Sequence, residues 1–417
     1  MASVTRSLRL LCIAFSTGFL AGASPCRVVH PVPPKVGEPY HIGTWYFTAW
    51  TSANHGTLRQ QGERLYGATD TWGGVRDYAD GRGKTPILDP ITKAPVDFAA
   101  RRPLIGYYDG GAQETVDAHI RQADSEGIEF FAFYWYLDMA TGLERSIAGP
   151  VSQFFASTIR HHIGFLLAPI GDGGQSVRLS MTLQIWRSTV IPRILDYMSS
   201  PHYFRIAGRP VLVDFQLPFD RPDTRAQAYV ELRQAARTLL GVEPLILGLL
   251  HGGNSWNDMA FQKAAAKPDG FTCFNFGTTH AGESYAELIS DWLPRTLSQV
   301  QSATGKIDST QIYVPCGSMG MDARPWHRIG WDSINSRASS TRPYITDISP
   351  NSFRAHLQDI KNFIDSASVY SLNMAILYSW NEWGEGAAVL EPSYKLGYSY
   401  ADVVREVFSL HPNSDRP

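Results

Sequence analysis

The feature that most constrains the fold is an alternation of strand-like and helix-like segments along most of the 417 residues. Short apolar runs bounded by turn residues predict strands, and apolar residues three or four positions apart predict helices. Because strands that alternate with helices pair in parallel, eight such units predict an α/β fold, a (β/α)8 TIM barrel. The eight strand-like runs are residues 40–47, 128–136, 163–168, 210–215, 244–249, 271–276, 312–316 and 374–378.

A doubly wound open sheet is the alternative arrangement of the same elements. That fold would be favoured by a glycine-rich phosphate or dinucleotide loop, and the sequence contains neither G-x-G-x-x-G nor G-x-x-x-x-G-K. The barrel is therefore the leading prediction. Its clearest helical patterns are residues 114–126, 225–240, 283–300, 352–364 and 400–408.

Residues 40–417 are predicted to form a single catalytic domain with a long loop, residues 51–103, after the first strand. Loops of this length inside a compact domain are usually lids or binding loops, and disorder is the alternative. Residues 24–39 contain several prolines and predict an extended N-terminal tail.

Residues 1–23 have the features of a secretory signal peptide. Arg6 and Arg9 precede an apolar stretch, residues 10–20, and Ala21–Ala23 supplies small residues suited to cleavage. The apolar stretch is short for a membrane span, although an uncleaved anchor remains open. We expect a secreted or periplasmic protein with no membrane span after cleavage.

Charge and aromatic content indicate which kind of partner the chain could bind. The formal net charge is −2 and no basic block occurs, so nucleic acid is not an expected partner. Aromatic residues make up 12% of the chain, and several stand at predicted strand ends, where they suit sugar stacking. The oligomeric state is not constrained by the sequence.

The histidines and cysteines do not predict a metal or any other cofactor. No H-E-x-x-H or similar ligand spacing occurs, and the serine-hydrolase motif G-x-S-x-G is absent. Cys12 would leave with the signal peptide, so Cys26, Cys273 and Cys316 remain. Three cysteines in so long a chain do not form a disulfide framework, and one disulfide and free thiols both stay open.

Two glutamates follow the last predicted strand, in MAILYSWNEWGEGAAVLEP, residues 374–392. Glu382 and Glu385 stand three positions apart, so a helical turn would place their Cβ atoms about 5–6 Å from each other. Paired carboxyls can hold unequal pKa values and so supply both an acid and a base. Trp380 and Trp383 offer flat apolar faces for a sugar. Two surface acids at a helix start are the alternative interpretation.

The run SWNEWGEG, followed by LEP and GYSY, resembles the C-terminal signature of glycoside hydrolase family 99 and its relatives in bacterial polysaccharide loci. The block at residues 106–138, GYYDGGAQETVDAHIRQADSEGIEFFAFYWYLD, resembles an early segment of that family. The similarity spans about residues 40–408. It implies an oligo- or polysaccharide substrate, an α-linked and mannose-containing glycan, cleaved with retention.

The resemblance also implies roles for individual residues. Glu382 would deprotonate the sugar's 2-hydroxyl, which attacks the anomeric carbon to give a 1,2-anhydro sugar, and Glu385 would be the acid and then the base. Asp214 is a third pocket carboxylate or a residue that caps the next loop. The other predicted substrate-binding residues, at strand ends or beside the acids, are Tyr46, Trp135, Tyr136, Trp380, Asn381 and Trp383. His251, Asn275, Asp322 and Arg324 complete the set of strand-end polar residues.

Two other functions remain open. A non-catalytic carbohydrate-binding or polysaccharide-assembly protein could keep the barrel and its aromatics, although such a protein does not need both acids. A transglycosylase would pass the activated sugar to a hydroxyl other than that of water.

Overall fold

A computed structural model describes residues 39–410, apart from segments at 51–70, 84–85, 90–91, 160, 172–180, 216, 218, 220, 251–263, 276–279, 306–311, 328–343 and 367–370. The predicted signal peptide, almost all of the predicted tail, His251 and the first part of the long loop lie outside the described residues.

Eight parallel strands form a nearly closed barrel, which confirms the predicted fold class. Nearly every residue of these strands is buried, as expected when helices cover the outside and side chains fill the inside. The strands are β1 His41–Tyr46, β2 Phe130–Leu137, β3 Gly164–Gly171, β4 Arg209–Asp214, β5 Leu245–Leu250, β6 Gly270–Cys273, β7 Ile312–Val314 continued by Cys316–Ser318, and β8 Met374–Tyr378.

The barrel closes through β7 and β8. Pro315 interrupts β7 because proline has no backbone N–H to donate to a neighbouring strand. The part before Pro315 pairs with β6, and the part after it pairs with β8. Strand β8 in turn pairs with β1, where His41 lies opposite Met374. The residues that follow β8 and β1 therefore meet at one end of the barrel.

Helices lie between the strands much as predicted, with one correction. The single helix predicted at residues 283–300 is a short strand followed by two helices, Tyr285–Ser290 and Trp292–Thr304. Pro294 lies in the first turn of the second helix, where a missing N–H is tolerated, so the break falls just before it. The other helices are Gly73–Ala79, Gln113–Ser125, Gly149–Ala156, Leu183–Ile185, Ile191–Met198, Pro222–Leu240, Arg324–His327, Pro350–Asp365 and Ser399–Phe408. A π-helical turn, Trp186–Val190, joins two of these, and 3-10 turns occupy Ala99–Arg101 and Ser146–Ala148.

Among the described residues, three short strands lie outside the barrel. Tyr344–Thr346 pairs with Ala281–Ser284, and Arg205–Ile206 pairs with the start of β4.

The described part of the loop after β1 is packed onto the barrel. The Trp72 ring stacks on Trp50 with centroids 4.0 Å apart, and its Nε1 donates to the carbonyl of Tyr108 at 2.7 Å. This part of the loop also contains a helix and a 3-10 turn. This part of the loop therefore lies beside the end of β1.

An aromatic cluster fills the C-terminal end of the barrel interior. It consists of Trp45, Tyr134, Phe215, Phe274 and Tyr378, which come from the ends of β1, β2, β4, β6 and β8. Ring centroids lie 5.8 Å apart for Trp45 and Tyr134, 5.5 Å for Trp45 and Phe274, and 5.0 Å for Phe274 and Tyr378. This cluster is the floor beneath the residues that follow the strands.

A disulfide joins Cys273 at the end of β6 to Cys316 in β7, with Cα atoms 5.3 Å apart. The sequence left open whether these cysteines form a disulfide or remain free thiols, and in the structure they form the disulfide. It links neighbouring barrel strands across a sequence separation of 43 residues.

Candidate active site

The segment after β8, residues 379–391, folds back on itself and is called the acid loop here because it carries Glu382 and Glu385. Its two ends are hydrogen-bonded to each other: the N–H of Leu390 donates to the carbonyl of Ser379 at 2.9 Å, and that of Glu391 to Trp380 at 2.8 Å. Strand β8 therefore leads into a closed loop, which limits where the acids lie.

The two glutamates stand on one turn, as their spacing predicted. The carbonyl of Glu382 accepts hydrogen bonds from the N–H groups of Glu385 and Gly386, at 3.2 and 2.7 Å. The hydroxyl of Ser379 accepts the N–H of Glu382 at 3.0 Å and caps the turn. Gly386 is required here because a Cβ atom would lie 2.7 Å from the carbonyl of Ala388.

Buried side chains hold the acid loop from below. The amide of Asn381 exchanges hydrogen bonds with the backbone of Phe47, at 2.7 and 3.0 Å, and so ties the loop to the end of β1. The carboxylate of Glu391 accepts from the Tyr108 hydroxyl at 2.7 Å and from Trp383 Nε1 at 2.6 Å. Its other oxygen is 3.1 Å from Nε2 of His119. These contacts position the turn without reaching its solvent side.

An ion-pair cluster holds the loop from the side. The N–H of Asp322 donates to the carbonyl of Glu385 at 2.7 Å. The Asp322 carboxylate pairs with Arg324 at 2.7 and 2.9 Å and with Arg101 at 3.1 Å. Arg101 also donates to the carbonyl of Trp383 at 3.3 Å. The turn that bears the acids is thus held by a side chain, Arg101, and by a backbone N–H, that of Asp322, from other parts of the chain.

Glu382 and Glu385 differ in how deeply their carboxyl groups are buried. Burial raises the pKa of the Glu382 carboxyl well above its usual range, and the neighbouring Glu385 raises it further. The Tyr134 hydroxyl approaches the same carboxyl and opposes this rise. Glu385 is partly exposed, whereas Glu382 is 4% exposed. The pair therefore combines a buried carboxyl whose ionisation is disfavoured with a second carboxyl that solvent reaches.

Three tyrosines face this pair. Burial and the two glutamates raise the pKa of the Tyr134, Tyr136 and Tyr378 hydroxyls, so all three stay protonated and can donate hydrogen bonds. Among the predicted substrate-binding residues, Tyr136 is influenced by both acids and is partly exposed. Tyr134 and Tyr378 were missed. Strand alternation points to them, because Tyr134 and Tyr136 lie on one face of β2.

The sugar-stacking predictions for four rings are corrected. Tyr46, Trp135, Trp380 and Trp383 are all buried, so none of the four rings presents an exposed face. The Tyr46 hydroxyl is hydrogen-bonded to His119, and Nε1 of Trp135 donates to Glu144 at 2.7 Å. In an all-apolar strand, side chains of both faces are buried, and these rings pack between the barrel and its helices or within the base of the acid loop.

Two polar residues have structural contacts: Asp214 has the second of its two predicted roles, as a cap of the next loop, and the substrate-binding prediction for Asn381 is corrected. The Asp214 carboxylate accepts from the backbone N–H of Leu217 at 2.9 Å and from the side chains of Arg225 and Tyr229, both at 2.5 Å. It therefore organises the loop after β4 and leaves no oxygen for a substrate. The amide of Asn381 is likewise engaged with the backbone, so this residue positions the acids and does not bind sugar.

The described residues contain no group of three or more His, Cys, Asp or Glu side chains that could hold a metal ion. In the same part of the chain no helix is long and apolar enough to cross a membrane. The arrangement is suited to acid–base chemistry on an uncharged substrate, with two carboxyls and three hydroxyl donors over an apolar floor.

Comparisons with known proteins agree with this architecture. A solved "Glycoside hydrolase-like protein" superposes with a TM-score of 0.53 and 16% identity, and the match covers 91% of this chain and 96% of that one. The GH99 endo-alpha-mannosidase from Bacteroides thetaiotaomicron superposes with a TM-score of 0.50 and 17% identity, over 88% and 96% of the two chains. The chain therefore shares a TIM-barrel-like fold with these two solved structures.

Sequence comparison gives the family. Residues 184–404, more than half of the chain, match the model of a family described as "Glycosyltransferase WbsX", and the chain belongs to that family. The "Uncharacterized protein WxcX" of Xanthomonas campestris pv. campestris is 25% identical over 323 residues, which are 74% of this chain and 43% of that protein. The chain thus spans less than half the length of the curated relatives it matches.

Proposed function

We propose that this protein is a glycoside hydrolase that cleaves an α-linked, mannose-containing glycan with retention of configuration. One observation carries the proposal: Glu382 and Glu385 stand on a single fixed turn at the C-terminal end of the eighth barrel strand, where barrel enzymes have their active sites. The fold shared with the GH99 endo-alpha-mannosidase supports the choice of substrate.

In the proposed reaction Glu382, as a carboxylate, takes the proton from the sugar's 2-hydroxyl while O2 attacks the anomeric carbon. The bond to the leaving oxygen breaks, and Glu385 protonates that oxygen. Glu385, now ionised, takes a proton from water, the water oxygen opens the 1,2-anhydro ring, and Glu382 returns the proton to O2. Two inversions give net retention, and one water is consumed.

The environment of Glu382 supports its role as the base. A carboxylate whose protonated form is favoured by burial is a stronger base, and a hydroxyl is a weak acid that needs one. The partly exposed Glu385 is suited to protonating a leaving group and then activating water. Because both acids approach the O2 and O1 side of the sugar, they need not lie on opposite faces of it.

We also propose that the protein acts outside the cytoplasm, in a secreted or periplasmic form produced by removal of residues 1–23. The disulfide between Cys273 and Cys316 supports this, because such bonds persist in oxidising compartments.

A second candidate function is transfer of the activated sugar to an acceptor hydroxyl. The description of the family as "Glycosyltransferase WbsX" favours it. The chemistry at Glu382 and Glu385 would be unchanged up to the anhydro sugar, and an acceptor would replace water in the second step.

The test is release of reducing sugar from α-mannans and α-linked mannosides by the mature protein. We expect release by the wild type and a loss of at least about 100-fold in Glu382→Gln and in Glu385→Gln. Glu231→Gln, which changes a surface carboxyl paired with Arg187, is the control and should remain active. Sugar binding without release, unchanged in both active-site variants, would leave a carbohydrate-binding barrel. Longer glycans in place of free sugar would favour transfer.

A further inference from the structure

The Tyr378 hydroxyl is held by Asn275, a strand-end residue that has no part in the reaction proposed above. Tyr378 is the last residue of β8, and Asn275 follows the end of β6. The Asn275 side chain is hydrogen-bonded to this hydroxyl and lowers the pKa of the phenol, against the larger effect of burial. A partner that lowers the pKa of a phenol donates to its oxygen. The Tyr378 oxygen therefore accepts from the Asn275 amide, and its own proton is left for another acceptor.

Ser318 sets the direction of the Asn275 amide. The Ser318 hydroxyl donates to Oδ1 of Asn275 at 2.6 Å and accepts the backbone N–H of Gly320 at 3.0 Å. A backbone N–H can only donate, so the single proton of the serine hydroxyl goes to Asn275. Because Oδ1 is engaged with Ser318, Nδ2 is the amide atom left to contact Tyr378. The network thus assigns the same direction as the phenol does.

Ser318 itself is held by its backbone. Its N–H donates to Nε2 of His356 at 3.1 Å, and its carbonyl accepts from the Tyr285 hydroxyl at 2.6 Å. The residue is fully buried. The disulfide lies two residues before Asn275 and two residues before Ser318, so it joins the same two strand ends as their hydrogen bond does. The first links of the network are therefore fixed by the barrel.

Ionisable side chains surround the Tyr378 hydroxyl. Burial and the charges of Glu382 and Glu385 raise the pKa of Tyr378, and the Arg101 guanidinium opposes this rise. Tyr134 is a further phenol in this region and is hydrogen-bonded to Glu382. A guanidinium has no acceptor, and a carboxylate is a stronger acceptor than a phenol. The carboxyl pair is therefore the favoured acceptor of the Tyr378 proton.

We propose that Ser318 and Asn275 are positioning residues that act through Tyr378 and make its hydroxyl a fixed donor to the carboxyl pair. The hydrogen bonds run in one direction, from Gly320 through Ser318 and Asn275 to Tyr378, and we call them the donor relay. Hydrogen bonds in such a chain polarise and strengthen one another. A donor that cannot turn round favours the carboxylate, which is the form that the proposed base needs.

The use of this carboxylate in catalysis rests on the function proposed above. The donor relay itself does not, because the titration of the two carboxyls is measurable without any turnover.

The test is a double-mutant cycle between Asn275→Asp and Tyr378→Phe. Asp has the shape of Asn but, when ionised, it only accepts, so the Tyr378 hydroxyl would donate to it and turn away from the acids. The measured quantity is the pH at the midpoint of the carboxyl titration. It is followed by NMR of protein labelled with 13C at the glutamate side-chain carboxyls, with Glu382→Gln and Glu385→Gln to assign the signals.

We expect Tyr378→Phe to raise this midpoint by about one pH unit in the wild-type background, because the ionised pair loses a donor. In the Asn275→Asp background the same change should leave the midpoint nearly unchanged, because the hydroxyl no longer donates to the acids. The charge of the introduced carboxylate is present in both proteins of that background, so its effect cancels in the comparison.

Two further variants separate the donor relay from a purely structural role. Ser318→Ala removes the donor that directs the Asn275 amide, so the effect of Tyr378→Phe should shrink there as well. Thr44→Val is the matched control, because the buried Thr44 hydroxyl donates to the carbonyl of Leu377 at 3.0 Å, next to Tyr378. This change should lower the thermal unfolding midpoint and leave the carboxyl titration as it is in wild type.

Equal effects of Tyr378→Phe in the wild-type and Asn275→Asp backgrounds would overturn the proposal. A carboxyl titration that Tyr378→Phe does not move, or that Thr44→Val moves as much, would also overturn it. During glycan cleavage, the acid limb of the pH profile of kcat/KM should move upward with the carboxyl midpoint. The expected titrations in a protein that cleaves no glycan would sustain the donor relay and contradict the hydrolase.

Discussion

Glu382 is the residue where function and stability oppose each other. Its carboxyl is buried beside a second carboxyl, so ionisation is unfavourable and its pKa is raised well above 4.5. A structural role would be served better by a neutral side chain. The retention of two closely spaced acids in a buried turn is therefore expected of an active site and not of a scaffold.

Replacing Glu382 by Gln should abolish activity and stabilise the fold at neutral pH. A carboxyl whose pKa is raised in the native state contributes stability that is fully present below about pH 4.5 and is lost as the pH rises through the native pKa. Gln does not ionise, so the variant's unfolding midpoint should exceed that of wild type at about pH 8, with the difference shrinking at about pH 4. A variant that is less stable at both pH values would mean that Glu382 has a structural role.

At the scale of elements, the acid loop depends on a buried carboxylate at its own end and on partners of that carboxylate that are far away in sequence. Glu391 brings together donors from Tyr108, Trp383 and His119 and is itself 1% exposed. None of these contacts reaches the acids directly. They hold the loop on which the acids stand, so their loss should affect the fold before it affects the chemistry.

Glu391→Leu should lower the free energy of unfolding by about 3 kcal/mol or more, because it leaves three buried polar groups without their acceptor. Glu391→Gln keeps one oxygen and places an amide donor near Nε2 of His119, so a smaller loss is expected. Urea unfolding of the two variants measures the difference. Equal and small losses would show that the buried carboxylate is not what closes the loop.

The contact between helix Pro350–Asp365 and β7 should make the free energy of unfolding depend on pH in the acid range. His356 accepts the N–H of Ser318 at 3.1 Å, and burial lowers the pKa of its imidazole from 6.5 to about 3. The unfolded chain binds a proton in that window and the native one does not, so stability falls as the pH drops from about 6.5 toward 3, by up to about 5 kcal/mol.

His356→Gln keeps an acceptor for Ser318 and does not titrate. Compared with wild type, the variant's unfolding free energy should fall less as the pH is lowered. Parallel pH profiles for the two proteins would contradict the assignment of a neutral, buried imidazole.

The elements were more predictable than the directions of their side chains. Eight strands and the turn bearing Glu382 and Glu385 follow from apolar runs and residue spacing. Strand β1 is buried on both faces, so its pattern does not tell which of Trp45 and Tyr46 points inward. We predicted Tyr46 as the substrate-binding residue of this strand, whereas in the structure the Trp45 ring lies inside the barrel. Glu391 stands in the LEP run of the quoted signature, but its contacts with Tyr108 and His119 could not be predicted because those residues are distant in sequence.

At the largest scale, the described strands form a barrel that closes where β7 changes partners at Pro315, with a disulfide nearby. A cross-link between neighbouring strands restricts the unfolded chain and so supports the closed state. The barrel end that it stabilises is the one where β6 and β7 lead toward the candidate active site.

The double variant Cys273→Ala, Cys316→Ala should lose about 4 kcal/mol of stability, the chain-entropy expectation for a loop of this length. Thermal unfolding with and without a reductant measures it: wild type should be sensitive to the reductant and the variant should not. Three free thiols in the denatured, unreduced mature protein, from Cys26, Cys273 and Cys316, would show that the bridge is absent, whereas Cys26 alone is expected when it is present.

The measurement that tests the central claim most directly is the anomeric configuration of the first product, followed by NMR during glycan cleavage by wild type, Glu382→Gln and Glu385→Gln. The account predicts an α-configured first product from wild type, no turnover of the corresponding 2-deoxy substrate, and collapse of activity in both variants. A β-configured first product, or full activity in either variant, would contradict the proposed roles of the two glutamates.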